Sequence, residues 1–387
     1  MRNYCKRCIL FYNIGWIYKL HETTAWYHLH FDIAGYFNNI AHPVLLATLC
    51  QKRAPLPMVK WVNSFLSDQQ TAMCLDRRQG DLLPTETGIP QGSPILPPLS
   101  SIYTASLSEK INQGMDPTQL DPNLAGRAHR GKATLTNMIL YVDDGKLTVG
   151  SDGITTHVLL LAHVYQIVEA WMAEHRLRID PAKSELIHHT WCNGDHKSIN
   201  DQPPAINTPV MVPATTTHPE IVTAPAKMVK WLGVTFDTKL TFLSHLKNVS
   251  TQVTNAVNSF SMLRNSIRGL HQVYHHHLIQ GVILPMMLYV SAAWWNGQKT
   301  QTNIIEKVQN KGLRYITGVF HTTPTYVMQI EAAIPPIALT LDYIVERKAN
   351  AAQHFSTRHP VTHHLPAQHR SNNIQESNGL PFPEPHK

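Results

Sequence analysis

Cysteine is scarce in this chain of 387 residues, and its spacing is irregular. The five cysteines are Cys5, Cys8, Cys50, Cys74 and Cys192. An odd, dispersed set excludes a disulfide framework and is typical of reduced thiols inside a cell. Cys5 and Cys8 have CxxC spacing, but no second pair or nearby histidine cluster completes a zinc site. The sequence therefore predicts an intracellular protein, nuclear or cytoplasmic, without a cysteine-based metal centre.

Targeting and membrane signals are also weak. The apolar stretch 9–18 contains Asn13 and Gly15 and lacks the small-residue cleavage site of a secretory signal. The apolar stretch 278–295 resembles a membrane span, but it carries polar residues and Pro285 and is barely long enough to cross. We expect a buried helix interrupted at Pro285, and no membrane partner. A protein anchored in a membrane by this stretch is the alternative.

Apolar content and basic charge are what the chain does have. Hydrophobic residues make up 43% of it, which is typical of a globular protein of two or three modest domains. The formal net charge of +7 favours an acidic partner such as nucleic acid. Most of the excess lies in residues 240–348, where nine lysines and arginines against four acids leave +5.

Two adjacent carboxylates interrupt an apolar stretch, ILYVDDGKLTV, at residues 139–149. Like charges about 4 Å apart repel by roughly 4 kcal/mol at an effective dielectric constant of about 20. Asp143 and Asp144 therefore either sit in water or are held by a cation. Because Asp-Gly between apolar runs is a hairpin signal, an exposed hairpin tip turning at Asp144-Gly145 is the first interpretation. A metal site is the second, and it requires another carboxylate.

That further carboxylate is present. Tyr27, Leu29 and Phe31 alternate with His28 and His30 as in a β-strand, and Asp32 follows. Residues 88–100, GIPQGSPILPPLS, form a loop rich in glycine and proline that leads into a helix. Strand-end carboxylates from distant parts of a chain suit phosphoryl transfer with two metal ions about 3.5–4 Å apart. We therefore expect Asp32 and Asp143 to converge on one site.

These features, in this order, resemble the reverse transcriptases of non-LTR (LINE-like) retrotransposons, fungal elements above all. FDIAGYFNNI (31–40) is similar to the first catalytic motif of that family, GIPQGSP (88–94) to the second and YVDD (141–144) to the third. DPAKSELI (180–187) resembles the fourth, and VKWLGV (229–234) the primer grip. The resemblance covers roughly residues 29–337. Each motif alone is weakly specific for the family, whereas five motifs in the family's order are a strong signal.

The resemblance implies roles for individual residues. Asp32 and Asp143 would bind two Mg²⁺ ions (Mn²⁺ is possible), and Asp144 would support them. Lys183 would donate a proton to the leaving pyrophosphate or neutralise its charge. The residues that would bind substrate are Phe37, Gln91, Gly92 and Tyr141, and the ring of Phe37 would exclude a ribose 2′-hydroxyl. The primer grip would be formed by Trp231, Leu232 and Gly233. The ordinary alternatives are core packing for Phe37 and Trp231, a loop cap for Gln91 and a solvated side chain for Lys183.

The implied fold is α+β: a right-hand polymerase palm, in which an antiparallel sheet is backed by helices, with a helical thumb and mostly missing fingers. The expected divisions are a fingers remnant (1–28), palm (29–238), thumb or connection (239–345) and disordered tail (346–387). The function implied is RNA-directed DNA polymerase, acting on an RNA template, a DNA primer and dNTPs. A catalytically inactive remnant that still binds nucleic acid is the alternative.

Two departures from the family motif bear on activity. Tyr36 and Asn38 stand where family members usually have alanine and aspartate, and Tyr36 is expected to crowd the site. Only about thirty residues precede Asp32, so we expect few of the basic residues that grip a triphosphate. We therefore expect this chain alone to polymerise very poorly or not at all.

Overall fold

The computed structural model describes residues 25–85, 87–90, 92–116, 135–150, 154–190, 193–198, 203–214, 219–260 and 271–353. Two compact units divide the chain. The sheet unit is Glu22–Thr241, and the helical unit contains the chain from Phe242 onward. The predicted fingers remnant falls mostly outside the described residues, as does most of the predicted tail. The described part of that tail, residues 346–353, is helical rather than disordered.

The elements of the sheet unit alternate between strands and helices. In chain order they are β1 (Ala25–Ile33), α1 (Tyr36–Asn39), α2 (His42–Gln51), α3 (Leu56–Leu66), β2 (Gln70–Thr71), β3 (Cys74–Leu75), β4 (Arg78–Gln79), β5 (Leu83–Pro84), α4 (Leu96–Tyr103), α5 (Ala105–Gly114), β6 (Leu135–Tyr141), β7 (Asp144–Gly150), α6 (Ile154–Glu174), β8 (Ile179–Thr190), a 3₁₀ turn (Ala205–Asn207), β9 (Val210–Val212), β10 (Ile221–Thr223), β11 (Met228–Trp231) and β12 (Val234–Asp237).

A four-stranded antiparallel sheet with the order β6-β7-β1-β8 forms the centre of this unit. Leu29, Phe31 and Ile33 of β1 are buried on the face that the helices cover. His28 and His30 point to the other face, as strand alternation requires, and they too are buried. Both faces of the central strand are therefore covered. The expected α+β class, with an antiparallel sheet backed by helices, is confirmed.

Helix α6 packs on β1 and β7 and carries much of the core. Apolar residues at helical spacing in the sequence 157–176 predict an amphipathic helix here. The buried side chains of α6 follow that spacing: Leu161, Val164, Val168, Trp171 and Met172. Trp171 Nε1 donates to Ser106 Oγ at 3.1 Å, which joins α6 to α5. The indole N–H that Trp171 brings into the core thus has a partner.

The strand predictions require two adjustments. The sequence of residues 71–75 and 80–87 predicts a short hairpin, and the structure has a nested ribbon there, in which β2 pairs with β5 and β3 with β4 and the strands are exposed. The sequence 229–236, VKWLGVTF, predicts one strand, and the structure has a hairpin of β11 and β12. Its turn is Leu232-Gly233, and both residues have positive φ, 48° and 82°. Glycine adopts that conformation freely, so the sequence held the signal for a turn.

The helical unit comprises α7 (Leu243–Phe260), α8 (Gln272–Leu278), a π-helical turn (Ile279–Ile283), α9 (Leu284–Met287), α10 (Ser291–Trp294), α11 (Lys299–Thr317), α12 (Thr325–Glu331) and α13 (Ile337–Gln353). Buried polar contacts tie these helices together. Gln309 of α11 donates to the Pro335 carbonyl at 2.7 Å and accepts from Ile337 N–H at 3.0 Å. Trp295 Nε1 donates to Asp342 Oδ1 at 2.7 Å.

The α-helical pattern is interrupted just before Pro285, as expected. The π-helical turn Ile279–Ile283 precedes it, and Pro285 lies in the first turn of α9, where proline is common. A further break comes at Val290, which has a φ of 51°. Among the described residues, the stretch Gln272–Trp294 is long and apolar enough to cross a membrane, judged by length and composition alone. That is weak evidence, and 33% of its apolar window is buried within the protein.

Candidate active site

The two carboxylate segments meet at one end of the central sheet. Asp32 near the end of β1 lies directly opposite Asp144, the first residue of β7. Asp143 occupies the turn before β7, and its carbonyl accepts a hydrogen bond from Ile33 N–H at 3.0 Å. Residues directly opposite in an antiparallel pair project to the same face. The structure thus brings Asp32, Asp143 and Asp144 together, and Asp144 rather than Asp143 is the strand partner of Asp32.

The turn itself lies two residues before the position that the Asp-Gly signal indicates. Tyr141 pairs with Asp144, which leaves Val142 and Asp143 as a two-residue hairpin loop. Val142 has a φ of 65°, an outlier for a β-branched residue. Such strain costs on the order of 1–3 kcal/mol and persists only where the surroundings impose it. Tyr141 closes β6 beside this turn and is half-buried.

Phe31 explains why a glycine follows the two aspartates. Gly145 is a strand residue directly opposite Phe31. A Cβ atom at Gly145 would lie 2.2 Å from Phe31 Cζ, so the phenyl ring covers the glycine backbone. Any side chain here would collide with the ring. A glycine is therefore needed at position 145 so that the Phe31 ring can pack against it, and not because the turn requires one.

Lys183 reaches the carboxylates from β8. Its Nζ lies 2.7 Å from Asp32 Oδ2 and 3.8 Å from Asp180 Oδ2. The hydrogen bond and charge of Asp32 raise the pKa of Lys183, and the carboxylates of Asp180 and Asp143 add to the effect. Lys183 therefore stays protonated through the neutral range. The side chain of Lys183 is 63% exposed and that of Asp32 is 20% exposed, so the site opens to solvent.

The donor chemistry at these strand ends fits a divalent cation. Carboxylate oxygens are the ligands that Mg²⁺ prefers, and one or two of them commonly act together with substrate phosphates. Among the described residues no group of three or more metal-binding side chains is arranged around one point. Asp32 already shares one oxygen with Lys183. The residues thus suit a site that is completed by substrate rather than a closed protein cage.

The loop before α4 contacts the turn that carries Phe37. Phe37 is half-buried, its ring edge-on to Tyr36 at 5.5 Å between centroids. Its carbonyl accepts a hydrogen bond from Ile89 N–H at 2.8 Å. Gly92 is exposed and has a φ of 94°, which favours glycine. Gln91 lies outside the described residues.

Tyr36 lies in the core, within electrostatic range of Asp143. It is 2% exposed, and its hydroxyl donates to the Ser100 carbonyl at 3.3 Å. Burial raises its pKa, so it stays neutral. Asn38 is exposed on α1.

A buried basic layer lies between the sheet and the β11–β12 hairpin. Lys146 is 1% exposed, and its Nζ lies 5.0 Å from the Trp231 ring centroid and 6.0 Å from that of Phe236. Its strand partner His30 lies 5.7 Å from the Trp231 ring. Burial lowers the pKa of Lys146 to about 7. The predicted primer-grip tryptophan thus packs on His30 and Lys146, which lie two residue pairs along the strands from Asp32 and Asp144.

Histidines line the rest of this layer. His189 Nδ1 donates to the Asp237 carbonyl at 3.0 Å, which fastens the end of β12 to β8. Burial lowers its pKa to about 3, and burial also takes the pKa of His28 and His30 well below the usual value. These rings are neutral at neutral pH, so Lys146 is the residue of the layer that titrates near pH 7.

Two residues that bear on the site escaped the sequence analysis. His42 Nε2 lies 2.6 Å from the Gly88 carbonyl oxygen and so contacts the loop. Lys146 lies beneath Trp231. Each acts on a partner distant in sequence, so no local pattern marks it. For Lys146 a faint signal existed, because a lysine within an apolar strand is seldom buried without a specific contact.

Comparisons with known proteins agree with the motifs. Residues 7–236 match the family described as reverse transcriptase (RNA-dependent DNA polymerase). A probable RNA-directed DNA polymerase from transposon BS of Drosophila melanogaster is 25% identical over 294 residues, covering 74% of this chain and 28% of that protein. The RNA-directed DNA polymerase from mobile element jockey of the same species is 22% identical over 316 residues, covering 82% and 31%. This chain therefore spans less than a third of the length of these relatives.

A solved structure, telomerase from Candida albicans in complex with the TWJ fragment of telomeric RNA, has a TM-score of 0.44 to this chain. The identity is 10%, over 85% of this chain and 54% of the other. The family match covers more than half of the chain and includes every residue of the strand-end site. The expected resemblance is confirmed: the chain belongs to the reverse transcriptase (RNA-dependent DNA polymerase) family.

Proposed function

We propose that this chain is an RNA-directed DNA polymerase of a retrotransposon, which adds deoxynucleotides to a primer 3′ end on an RNA template. The observation that carries the proposal is the meeting of Asp32, Asp143 and Asp144 at adjacent strand ends, with Lys183 beside them. Acids from distant segments are costly to gather unless a cation is bound among them. Family membership favours polymerisation over other reactions that use such a site.

Asp32 and Asp143 are the residues that would hold Mg²⁺, with Mn²⁺ as a substitute. Bound there, two such ions activate the attacking primer oxygen and stabilise charge on the leaving group. Asp144 lies across from Asp32 and would hold the carboxylate geometry from β7. The strained Val142 aims the Asp143 side chain, because a two-residue loop leaves it little freedom.

Lys183 would act as a cation toward the pyrophosphate rather than as a ready proton donor. A raised pKa makes proton release harder, whereas the charge stays available at every neutral pH. In the structure that charge is directed at Asp32. Asp32 would hold the metal ion through its carboxylate, and the Lys183 ammonium beside it would neutralise charge on the triphosphate.

The loop near Phe37 would form the nucleotide side of the site. Gly92 leaves the backbone open to close approach, since no atom lies within 4 Å of where its Cβ would be. Gln91 between Pro90 and Gly92 would contact the incoming nucleotide, as the family motif implies. Phe37 would place its ring against the sugar, and Tyr141 would line the turn beside it.

Basic residues of the helical unit would hold the template–primer duplex. Lys307, Lys311 and Arg314 recur at helical spacing along α11, and Lys307 is exposed. Arg314 also donates to the His321 carbonyl at 3.0 Å, which orders the chain after α11. Phosphate contacts of this kind make binding fall with salt, with a log–log slope near −0.9 per phosphate neutralised. Gly233, exposed at the turn of the β11–β12 hairpin, would bear on the primer end, and the buried Trp231 and Leu232 would hold that turn in place.

Primer extension on poly(rA) with an oligo(dT) primer and Mg²⁺ tests the proposal. Extension by the unsubstituted chain that falls at least about 100-fold in Asp143→Asn and in Asp32→Asn would support the proposal and overturn the expectation, drawn from the sequence, of poor polymerisation. Asp76→Asn, a change on the exposed ribbon, serves as the matched control and keeps full activity. Extension that survives Asp143→Asn would contradict the assignment. Salt-sensitive duplex binding without any extension would favour the alternative of an inactive, nucleic-acid-binding remnant.

A further inference from the structure

The segment before Gly92 is joined to the Phe37 turn by a continuous seam of backbone contacts. Ile89 N–H donates to the Phe37 carbonyl and Gly88 N–H to the Ile40 carbonyl, both at 2.8 Å. Thr87 forms an antiparallel bridge with Ala41. Gly88 and Ile89 are buried there. Two segments of chain, 37–41 and 87–89, are thus held in one register.

Gly88 permits this contact because it has no side chain. Its φ is 88°, a conformation that L-residues rarely adopt. A Cβ atom on it would lie 2.9 Å from the Phe37 carbonyl oxygen and 3.2 Å from Asn38 Cα. The backbone at Gly88 is therefore pressed against the turn that carries Phe37, and only its carbonyl is left for a partner.

His42 supplies that partner. Its Nε2 lies 2.6 Å from the Gly88 carbonyl oxygen. Since a carbonyl only accepts, Nε2 must carry the proton and donate. His42 is the first residue of α2 and is followed by Pro43, so its backbone is fixed by the start of the helix. Both polar groups of Gly88 are then satisfied by residues 40 and 42.

We propose that His42 is a positioning residue for nucleotide selection, which fixes the loop 87–90 against the turn that bears Phe37. The proposal rests on the proposed function, in which Phe37 meets the sugar and the residues after Pro90 meet the nucleotide. The two groups come from segments far apart in the chain. Their relative placement is set by the seam, and His42 provides its one side-chain bond among the described residues.

The consequence is a specific kinetic signature. Loosening the seam leaves the carboxylates and Lys183 untouched, because they lie on β1, the β6–β7 hairpin and β8. The chemical step is then little changed, whereas nucleotide binding and sugar discrimination suffer. Loss of one hydrogen bond corresponds to roughly a 3- to 10-fold effect. A structural defect, in contrast, would lower the active fraction and leave KM and discrimination as they are.

The test compares His42→Ala and His42→Gln with His163→Ala in the full chain. Glutamine keeps a donor at nearly the place of Nε2. His163 is the matched control, because it is half-buried and its Nε2 lies 3.1 Å from another glycine carbonyl, that of Gly114. For His42→Ala we expect a KM for dTTP raised roughly 3- to 10-fold, a similar fall in preference for dTTP over UTP, and kcat within about 2-fold. His42→Gln should have the wild-type KM for dTTP and the wild-type preference for dTTP over UTP, and His163→Ala should change neither of these two quantities.

Hydrogen exchange provides a second measurement that does not need activity. The Gly88 and Ile89 amides should exchange roughly 3- to 10-fold faster in His42→Ala, and at the wild-type rate in His42→Gln and His163→Ala. Unchanged exchange in His42→Ala overturns the proposal, and so does accelerated exchange with unchanged KM and discrimination. A wild-type chain that does not extend a primer, yet shows the expected exchange pattern, would refute the proposed function while the seam held by His42 stands.

Discussion

Lys183 Nζ and Asp32 Oδ2 are 2.7 Å apart, although 151 positions separate the two residues in the chain. The pair sits where the carboxylates meet and is open to solvent. Exposed ion pairs contribute little to stability, because water screens them and two long side chains must be ordered. The pair is therefore better explained by function than by folding.

Lys183→Met should reduce primer extension by roughly 10- to 100-fold, since the leaving pyrophosphate loses its cation. The melting temperature should not change, because the lysine is exposed. Lys110→Met, which removes an exposed ion pair with Glu174 at 3.3 Å, is the matched control and should alter neither quantity. Wild-type extension by Lys183→Met would remove this lysine from the mechanism. A large loss of thermal stability would instead make the pair structural.

Gly145→Ala should destabilise the protein by about 1–3 kcal/mol, because its new methyl group meets the Phe31 ring. Urea denaturation followed by tryptophan fluorescence measures the change in the free energy of unfolding. In a Phe31→Leu background, Gly145→Ala should lower the free energy of unfolding clearly less, because the new methyl group occupies the space that the Phe31 ring fills in the wild type. Gly281→Ala is the control, because no atom lies within 4 Å of the place that its Cβ would occupy and its φ is not positive. Equal costs in both backgrounds would show that the ring is not the obstacle.

Lys146 should make stability rise with pH. Its pKa is about 7 in the folded chain and about 10.4 in an unfolded one. Between those values the unfolded state binds the extra proton, so the free energy of unfolding gains about 1.4 kcal/mol per pH unit from this group. Below about pH 7 both states are protonated, and the cost of burying the charge is fully present.

Lys146→Met removes this dependence, and the comparison isolates it from other titrations. Urea denaturation at pH 7, 8 and 9 should show the variant more stable than wild type at pH 7, with the difference shrinking as the pH rises. Lys230→Met, an exposed lysine beside Trp231, should follow wild type throughout. A difference that stays constant with pH would mean that Lys146 remains charged in the fold, held by the Trp231 ring.

The parts of the site that the sequence predicted are those with local or chemical signals. Adjacent acids at a strand end and the apolar spacing of α6 are visible in the chain itself. The position of the hairpin turn was not predictable in this way. Asp-Gly favours a turn, but the Phe31 ring needs a glycine at 145, and that requirement comes from another strand. The contacts of His42 and Lys146 depend on partners brought near only by folding, so their residue types alone did not mark them.

Phe37 is the residue for which function and packing make opposite predictions. Its ring is half-buried and edge-on to Tyr36, which suits a core contact. Its backbone is held by Ile89, which suits a fixed wall against a sugar. If Phe37 is the wall, a smaller side chain admits a 2′-hydroxyl without weakening the deoxynucleotide. If it is only core, the smaller side chain leaves a cavity and lowers stability by about 2–4 kcal/mol, with no change in preference.

Phe37→Val therefore decides between the two. As a wall residue, it should raise UTP incorporation at least about 10-fold relative to dTTP, with the KM for dTTP within about 3-fold of wild type, because one hydroxyl group is what the ring rejects. Phe65→Val is the control: Phe65 is also half-buried, its ring stacks on Trp61, and it lies on α3 away from the carboxylates. It should lower stability without altering the ratio of UTP to dTTP. If Phe37→Val behaves as Phe65→Val does, the aromatic ring is packing, and the discrimination between sugars must arise elsewhere in the site.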